Sequence, residues 1–401
     1  MDKNSALLAE LVSSAIRGRD NCCFDAIGVN WEELYIQAIK QQVYTLIYPA
    51  VKNIDSCHGP DKDLLEKWKA KIFRYGIILE LNYKKVEAIF KHFLEYGIKP
   101  IMLKGFVFKT LYHQTQLRLM SDIDLLVEDK DIDTVSKILT EHGYTPLKDK
   151  KTKHIPFLHK DLFRIEIHRA LTDDEIIKNK EEFSNAIWAS KIKFRFKSTD
   201  IFTLSWEHQI IHMCIHMISH FVHGGFNLRQ LCDLVLLVEQ KTIDWNYVLE
   251  KSKEYGIHKF MSTVFIVCNR LLHLHVPVDF DIDESVDLYA DKVIDDMFMG
   301  GKDIISVSEN ISTKKKNYTS NRLYHIFSML FPSYDKLSRR YSYMYIKSRP
   351  YLTPVAWIHR IVYGIFRKDF NMKIKKSMLY DSNMLRIAED RDDMLHWLEI
   401  I

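Results

Sequence analysis

Apolar residues recur at helical spacing through the first stretch of the chain, at Leu7, Leu8, Leu11, Val12 and Ile16 and again at Ile77, Leu81, Ile89, Phe90 and Phe93. Between these runs, residues 53–62 carry Cys57-His58-Gly59-Pro60 and read as a loop. Gly97 then ends the helical pattern and the period shortens. Residues 100–103 form a short apolar strand that breaks at Lys104-Gly105 into a helix carrying Phe108, Leu111 and Tyr112. Residues 121–127 alternate strictly, with Ile123, Leu125 and Val127 interleaved with Asp122 and Asp124. An amphipathic helix follows over residues 131–142, with Val135, Ile138 and Leu139 on its apolar side and Gly143 as its stop. Two more strands are predicted near residues 155–159 and 162–169. From Trp206 the pattern is wholly helical, continuing through residues 264–274 to a break at Val276-Pro277.

The strand reading gives the acids a direction. Residues two apart on a strand project from one side, so Asp122 and Asp124 share a face while their apolar neighbours turn to the other. The same alternation puts Arg164, Glu166 and His168 on one face of a later strand. An Asp-x-Asp pair alone is more often a wet strand face than a site. Here it follows a strand–Gly–helix turn of the kind that brings backbone amides to phosphate. Like charges so placed repel unless a cation lies between them, and Mg²⁺ takes carboxylates together with substrate phosphates. Two strand carboxylates and a third from a neighbouring strand make a plausible two-metal clamp, and the chemistry suggested is metal-assisted nucleotidyl transfer.

This arrangement resembles the polymerase-beta-like nucleotidyltransferase superfamily. More narrowly, Leu103-Lys104-Gly105, Leu117-Arg118, the run from Ser121 to Val127, and Glu166-Ile167-His168 are similar to a bacterial family of uncharacterised nucleotidyltransferases. The likeness extends over residues 210–220 and 228–233 and fades after about residue 310. It implies an α+β fold with a polymerase-beta-like core, a small mixed sheet with helices, over residues 97–197. A helical N-terminal segment (1–96), a helical domain (198–310) and a basic helical extension (311–401) complete the chain. It further implies Asp122, Asp124 and Glu166 as catalytic metal ligands for Mg²⁺ or Mn²⁺. Lys104, Gly105, Arg118 and Ser121 are the expected nucleotide-binding residues, with an NTP, ATP the expected one, as donor. The wider superfamily has Gly-Ser where this chain has Lys104-Gly105, a change the narrower family shares, which leaves open which group holds the triphosphate. His168, His216 and His220 are candidates for the acceptor site. A silent nucleotide- or partner-binding protein of the same fold is the alternative, as is a nucleic-acid-modifying transferase.

His208, His212, His216 and His220 recur every four residues, with His223 just beyond. Such spacing can chelate zinc, but no His-Glu-x-x-His motif or acidic third ligand accompanies it, so packed interior histidines are expected. Arg229 and Asp233, also four apart, read as a structural ion pair.

Composition adds two things. The six cysteines show no Cys-x-x-Cys pairing, Cys214 and Cys232 fall in apolar helical patterns, and no apolar run approaches a bilayer span, so a reducing cytoplasm is the expected home. The net charge of +4 is also uneven. Residues 314–376 hold 15 Lys and Arg against two acids, a balance of +13, which leaves −9 on the rest. A basic segment interleaved with aromatics binds single-stranded nucleic acid or a membrane surface in some proteins, and is a solvated face in others.

Overall fold

The alternating stretches assemble into a seven-stranded mixed sheet. Its strands are β1 (Ile101–Leu103), β2 (Asp122–Leu126), β3 (Thr145–Pro146), β4 (His154–Leu158), β5 (Arg164–His168), β6 (Ile192–Phe196) and β7 (Thr199–Thr203). They run in the order β3-β4-β5-β2-β1-β7-β6. The central strand β2 pairs antiparallel with β1 and parallel with β5. The computed structural model describes residues 1–19, 25–55, 58–147, 154–171, 177–223, 225–276, 278–280, 285–299, 334, 337, 345–366, 391 and 393–400. The basic link at residues 148–153, Pro277 and most of the basic stretch 314–376 lie outside them.

Four of the strands sit where the alternation places them, within a residue or two. The hairpin of β6 and β7 does not. It extends the sheet to Thr203, past the expected core end at residue 197, and β7 pairs parallel with β1. Lys197 lies in the hairpin's turn, at φ 50°.

Helix α4 (Lys62–Glu95) runs unbroken for 34 residues, roughly 50 Å at 1.5 Å per residue. The Asp61 carboxylate caps its first turn by accepting from the Leu64 N–H at 2.8 Å. Its C-terminal half lies over one face of the sheet. There Leu79, Val86, Ile89, Phe90 and Phe93 pack with Ile123, Leu125, Ile165 and Ile167, and with Val135, Ile138 and Leu139 of α6 (Ile132–Glu141). Each such fully buried side chain contributes about 1.5–3 kcal/mol. The fully buried Asn82 of α4 accepts from the Phe163 N–H at 2.9 Å and so fixes the entry to β5. The helical spacing predicts burial for Ile77 and Leu81 too, yet these are 50% and 48% exposed, because they lie on the side of α4 turned away from Leu79, Asn82 and Val86, which face the sheet.

The other α-helices described within residues 1–299 are α1 (Lys3–Ile16), α2 (Trp31–Lys40), α3 (Tyr44–Val51), α5 (Gly105–Lys109), α7 (Lys180–Ser190), α8 (Trp206–His223), α9 (Leu228–Gln240), α10 (Trp245–Glu254), α11 (His258–Leu272) and α12 (Ser285–Met299); Tyr345–Ser348 and Thr353–Phe366 are helical further on. α1 docks on the end of α11, where Ser13 Oγ and the Arg17 guanidinium both donate to the Leu272 carbonyl, at 3.1 and 2.8 Å. Cys214, Cys232 and Cys268 are buried free thiols. No described helix is long and apolar enough to cross a membrane.

Met1–Gly300 with Leu395–Ile401 form one compact unit and Gly301–Met394 a second. In the second, Leu337, Ile346 and Ala356 are buried with Tyr334, Leu352 and Trp357 packed against them.

Candidate functional site

Because β2 and β5 are adjacent and parallel, their registers fix which polar residues meet. Asp122 stands beside Arg164, Asp124 beside Glu166, and Leu126 beside His168. The odd-numbered residues of β2 and β5 are the apolar ones that α4 and α6 cover, so the polar set projects from the opposite face.

On that face three groups converge. The His168 imidazole donates from Nε2 to Asp124 Oδ1 at 3.1 Å and lies 3.8 Å from Glu166 Oε2. One donor atom from each of Asp124, Glu166 and His168 lies within 4.8 Å of the others. Asp122 points the same way but is drawn off: its Oδ2 receives Arg164 Nη2 at 3.2 Å, and its side chain is 34% exposed against 12% for Asp124. Arg164 Nη2 also reaches Glu166 Oε1 at 2.8 Å, which leaves Oε2 turned toward His168. The tight cluster is therefore Asp124, Glu166 and His168, with Asp122 beside it on Arg164, rather than the three acids alone.

Electrostatics separates the two buried acids. Burial opposes charge on Asp124, but the Lys104 ammonium and the His168 bond outweigh it and hold the carboxyl far below the usual range. Burial and the neighbouring Asp124 charge push Glu166 up, against the opposing pull of Arg164 and His168.

Lys104 follows the β1 residue paired with Asp124 and is the cation that acts most strongly on it. Burial lowers its pKa, and the charges of Asp124, Asp122 and Glu166 oppose that fall. Its backbone sits at φ 43°, ψ −117°, a region that favours glycine. Gly105 comes next because a Cβ there would meet Met120 Cε at 3.2 Å. The helix it opens, α5, is only five residues long, and Leu111 and Tyr112, expected within it, lie beyond its end. Ser121 is exposed, immediately before β2.

Arg118 stands elsewhere. It is fully buried, and its guanidinium donates to both oxygens of Asp233, at 2.7 and 2.6 Å, and to the Leu119 carbonyl at 3.3 Å. Tyr112 adds its hydroxyl to Asp233 at 2.8 Å. Arg229 forms the expected ion pair with Asp233 at 3.6 Å and also donates from Nε to Gln42 Oε1 at 2.8 Å.

The histidine stripe divides along α8. His208 bonds to Ser190, Ser205 and Tyr247. His212 is 3% exposed and its Nδ1 has no partner. Burial and the charges of Lys104 and His168 drive its pKa well down, while Asp124 pulls it up, so it lies within electrostatic reach of the cluster. His216 is pushed down in the same way, by burial first and then Lys104. Its Nε2 is 3.1 Å from that of His220, which is exposed. Arg164 and His212, placed on their faces by the sequence but given no part in the site there, are the residues the structure adds. The signals for them are the alternation Arg164 shares with Glu166, and the single helical turn between His212 and His216.

The donor set suits a divalent cation: one donor each from two carboxylates and an imidazole converge within 4.8 Å of one another. Residues 28–273 match the family described as uncharacterised nucleotidyltransferase. No curated protein matches the chain. Among solved structures, the lincomycin-bound lincosamide antibiotic adenylyltransferase LnuA is similar at 20% identity and a TM-score of 0.25, over 32% of this chain and 83% of that one. With well over half its length matched, the chain belongs to the uncharacterised nucleotidyltransferase family.

Proposed function

We propose that the protein transfers a nucleoside monophosphate from an NTP, ATP being the expected donor, to a hydroxyl, phosphate or amine acceptor. The single observation that supports this most is the parallel register of β2 and β5, which sets Asp124 beside Glu166 on the face away from the core. In the reaction the acceptor atom bonds to the α-phosphorus, the bond from that phosphorus to the bridging oxygen breaks, and its electron pair leaves with pyrophosphate. Asp122, Asp124 and Glu166 would hold Mg²⁺ or Mn²⁺, which when bound supplies Lewis-acid charge to the phosphates.

The chain's own groups account for the rest. Asp124, held ionised by Lys104 and His168, gives a fixed negative charge at the centre. Glu166, whose pKa is raised, is the group suited to take the acceptor's proton. Lys104 and Arg164, both close to the carboxylates, are the cations suited to the triphosphate and to the charge that develops on pyrophosphate. Arg118, buried on Asp233, would act by holding the segment before β2 in place.

The test is incubation of the protein with each α-labelled NTP, Mg²⁺ and fractionated small-molecule and macromolecular acceptors. Pyrophosphate release and a labelled product are expected from the wild type and not from Asp124→Asn. Bound nucleotide without pyrophosphate from any pool would favour a silent binder of the same fold.

A further inference from the structure

We propose that His168 is itself a metal ligand, so that the centre prefers a first-row transition ion, Mn²⁺ as its probe, over Mg²⁺. This rests on the proposed reading of the face as a metal site and goes on to say which atoms hold the ion and which ion they select.

The geometry carries the assignment. Around an ion with bonds of about 2.1 Å, neighbouring octahedral donors stand about 3.0 Å apart and opposite ones about 4.2 Å. His168 Nε2 is 3.1 Å from Asp124 Oδ1 and 3.8 Å from Glu166 Oε2, and one donor from each residue lies within 4.8 Å of the rest. The spread matches a single coordination sphere with little movement, the imidazole shifting its proton from Nε2 to Nδ1, or releasing it, when the ion binds. Asp122 does not share it, because Arg164 engages the Asp122 carboxylate from the side. The same Arg164 nitrogen occupies Glu166 Oε1 and so presents the other oxygen to the cluster. The imidazole is thus a further member of the set beside the two carboxylates, and Asp122 would join it only when its bond to Arg164 opens.

A second observation points to the same place. His212 is 3% exposed, its Nδ1 has no partner, and the charges that act on it are those of Lys104, His168 and Asp124. A buried imidazole left so is costly unless something completes its bonding. The chemistry then selects the metal. Mg²⁺ prefers oxygen donors throughout, whereas the divalent ions of the first transition row accept imidazole nitrogen more readily, Mn²⁺ the least of them but still beyond Mg²⁺.

Pulsed EPR on the Mn²⁺-loaded full chain tests this without reference to turnover. Nitrogen coupling to the ion is expected in the wild type, altered when histidine alone is ¹⁵N-labelled and absent from His168→Gln. Titration calorimetry should show Mn²⁺ binding weakened about 10- to 100-fold by His168→Gln, with Mg²⁺ binding changed far less. Mn²⁺ bound with no nitrogen coupling in the wild type, which needs no variant to read, overturns the proposal. So does coupling that persists in His168→Gln. Pyrophosphate release with Mg²⁺ alone would leave the transferase reading standing in either of those cases, and its absence with both ions would count against that reading while the EPR result still decides the ligand.

Discussion

Arg118 and Asp233 stand 115 positions apart and meet through two short bonds in a place solvent does not reach. Between them they tie the segment that leads into the acid-bearing strand β2 to helix α9. A buried charge stripped of its partner is far costlier than the pair is valuable. Asp233→Ala should therefore lose about 3–5 kcal/mol of stability, while Arg118→Met with Asp233→Leu should recover much of that loss. Urea denaturation followed by circular dichroism measures both. If Arg118 instead served the triphosphate, Arg118→Met would spare the fold and weaken nucleotide binding alone.

Lys104 combines a strained backbone with a charge at the site. Replacing it by glycine should relieve about 1 kcal/mol of strain and raise the melting temperature. Nucleotide affinity should fall by about one to two orders of magnitude, since a charged contact to phosphate contributes roughly 1.5–3 kcal/mol. Calorimetry with a non-hydrolysable NTP, beside a thermal scan, separates the two effects. Unchanged affinity in the glycine variant would remove the ammonium from the nucleotide site.

A pH dependence follows from Lys109, which is fully buried and bonded to the Arg118 carbonyl, with the Tyr75 hydroxyl at 3.4 Å. Burial, helped by the Arg118 charge, pushes its ammonium down to about 6 from an ordinary 10.5. Between those values the unfolded chain holds a proton that the folded one has lost, so stability rises with pH across that window. Below pH 6 both states are protonated and the folded state carries the whole cost. Lys109→Met should thus be more stable than wild type at pH 6. The advantage should vanish by pH 10, where the lost bond leaves the variant about 1 kcal/mol behind. A gap between the two proteins that does not narrow as pH rises would mean that Lys109 is charged in the fold.

The two buried acids should respond oppositely to neutralisation. Asp124 gains from Lys104 and His168, and its depressed pKa means stability that is present above the ordinary carboxylate range and lost as pH falls. Glu166 loses by being charged beside Asp124. Asp124→Asn should lower stability by about 1 kcal/mol at pH 7 and Glu166→Gln should leave it equal or higher. Pyrophosphate release should drop at least about 100-fold in both. Calorimetric scans at pH 7 settle the signs, and equal destabilisation by the two variants would refute the electrostatic split.

The strands that carry the site were legible because they alternate: Asp122, Asp124 and Glu166 each sit between apolar residues that must face inward. Their partners were not, because register is a pairing of distant segments. Nothing near Arg118 announces Asp233, and nothing near Asp122 says that Arg164 will engage it. The hairpin of β6 and β7 alternates as well, but it sits so close to the start of α8 that the helical pattern from Trp206 hid it. Which face of α4 meets the sheet is likewise set by distant segments, so helical spacing alone put Ile77 and Leu81 inside.

The docking of α1 on α11 has a consequence for synthesis. Ser13 Oγ bonds to a carbonyl 259 positions later, so α1 leaves the ribosome long before its partner exists. At about 5–20 residues per second that interval is on the order of 10 to 50 s. For most of that interval Leu8, Leu11 and Val12, all fully buried in the finished protein, have only the neighbouring helices α2 and α3 to cover them, α9 joining shortly before α11. The nascent chain therefore has a period of exposure at its first helix, which a holding chaperone or a slow stretch of translation would govern.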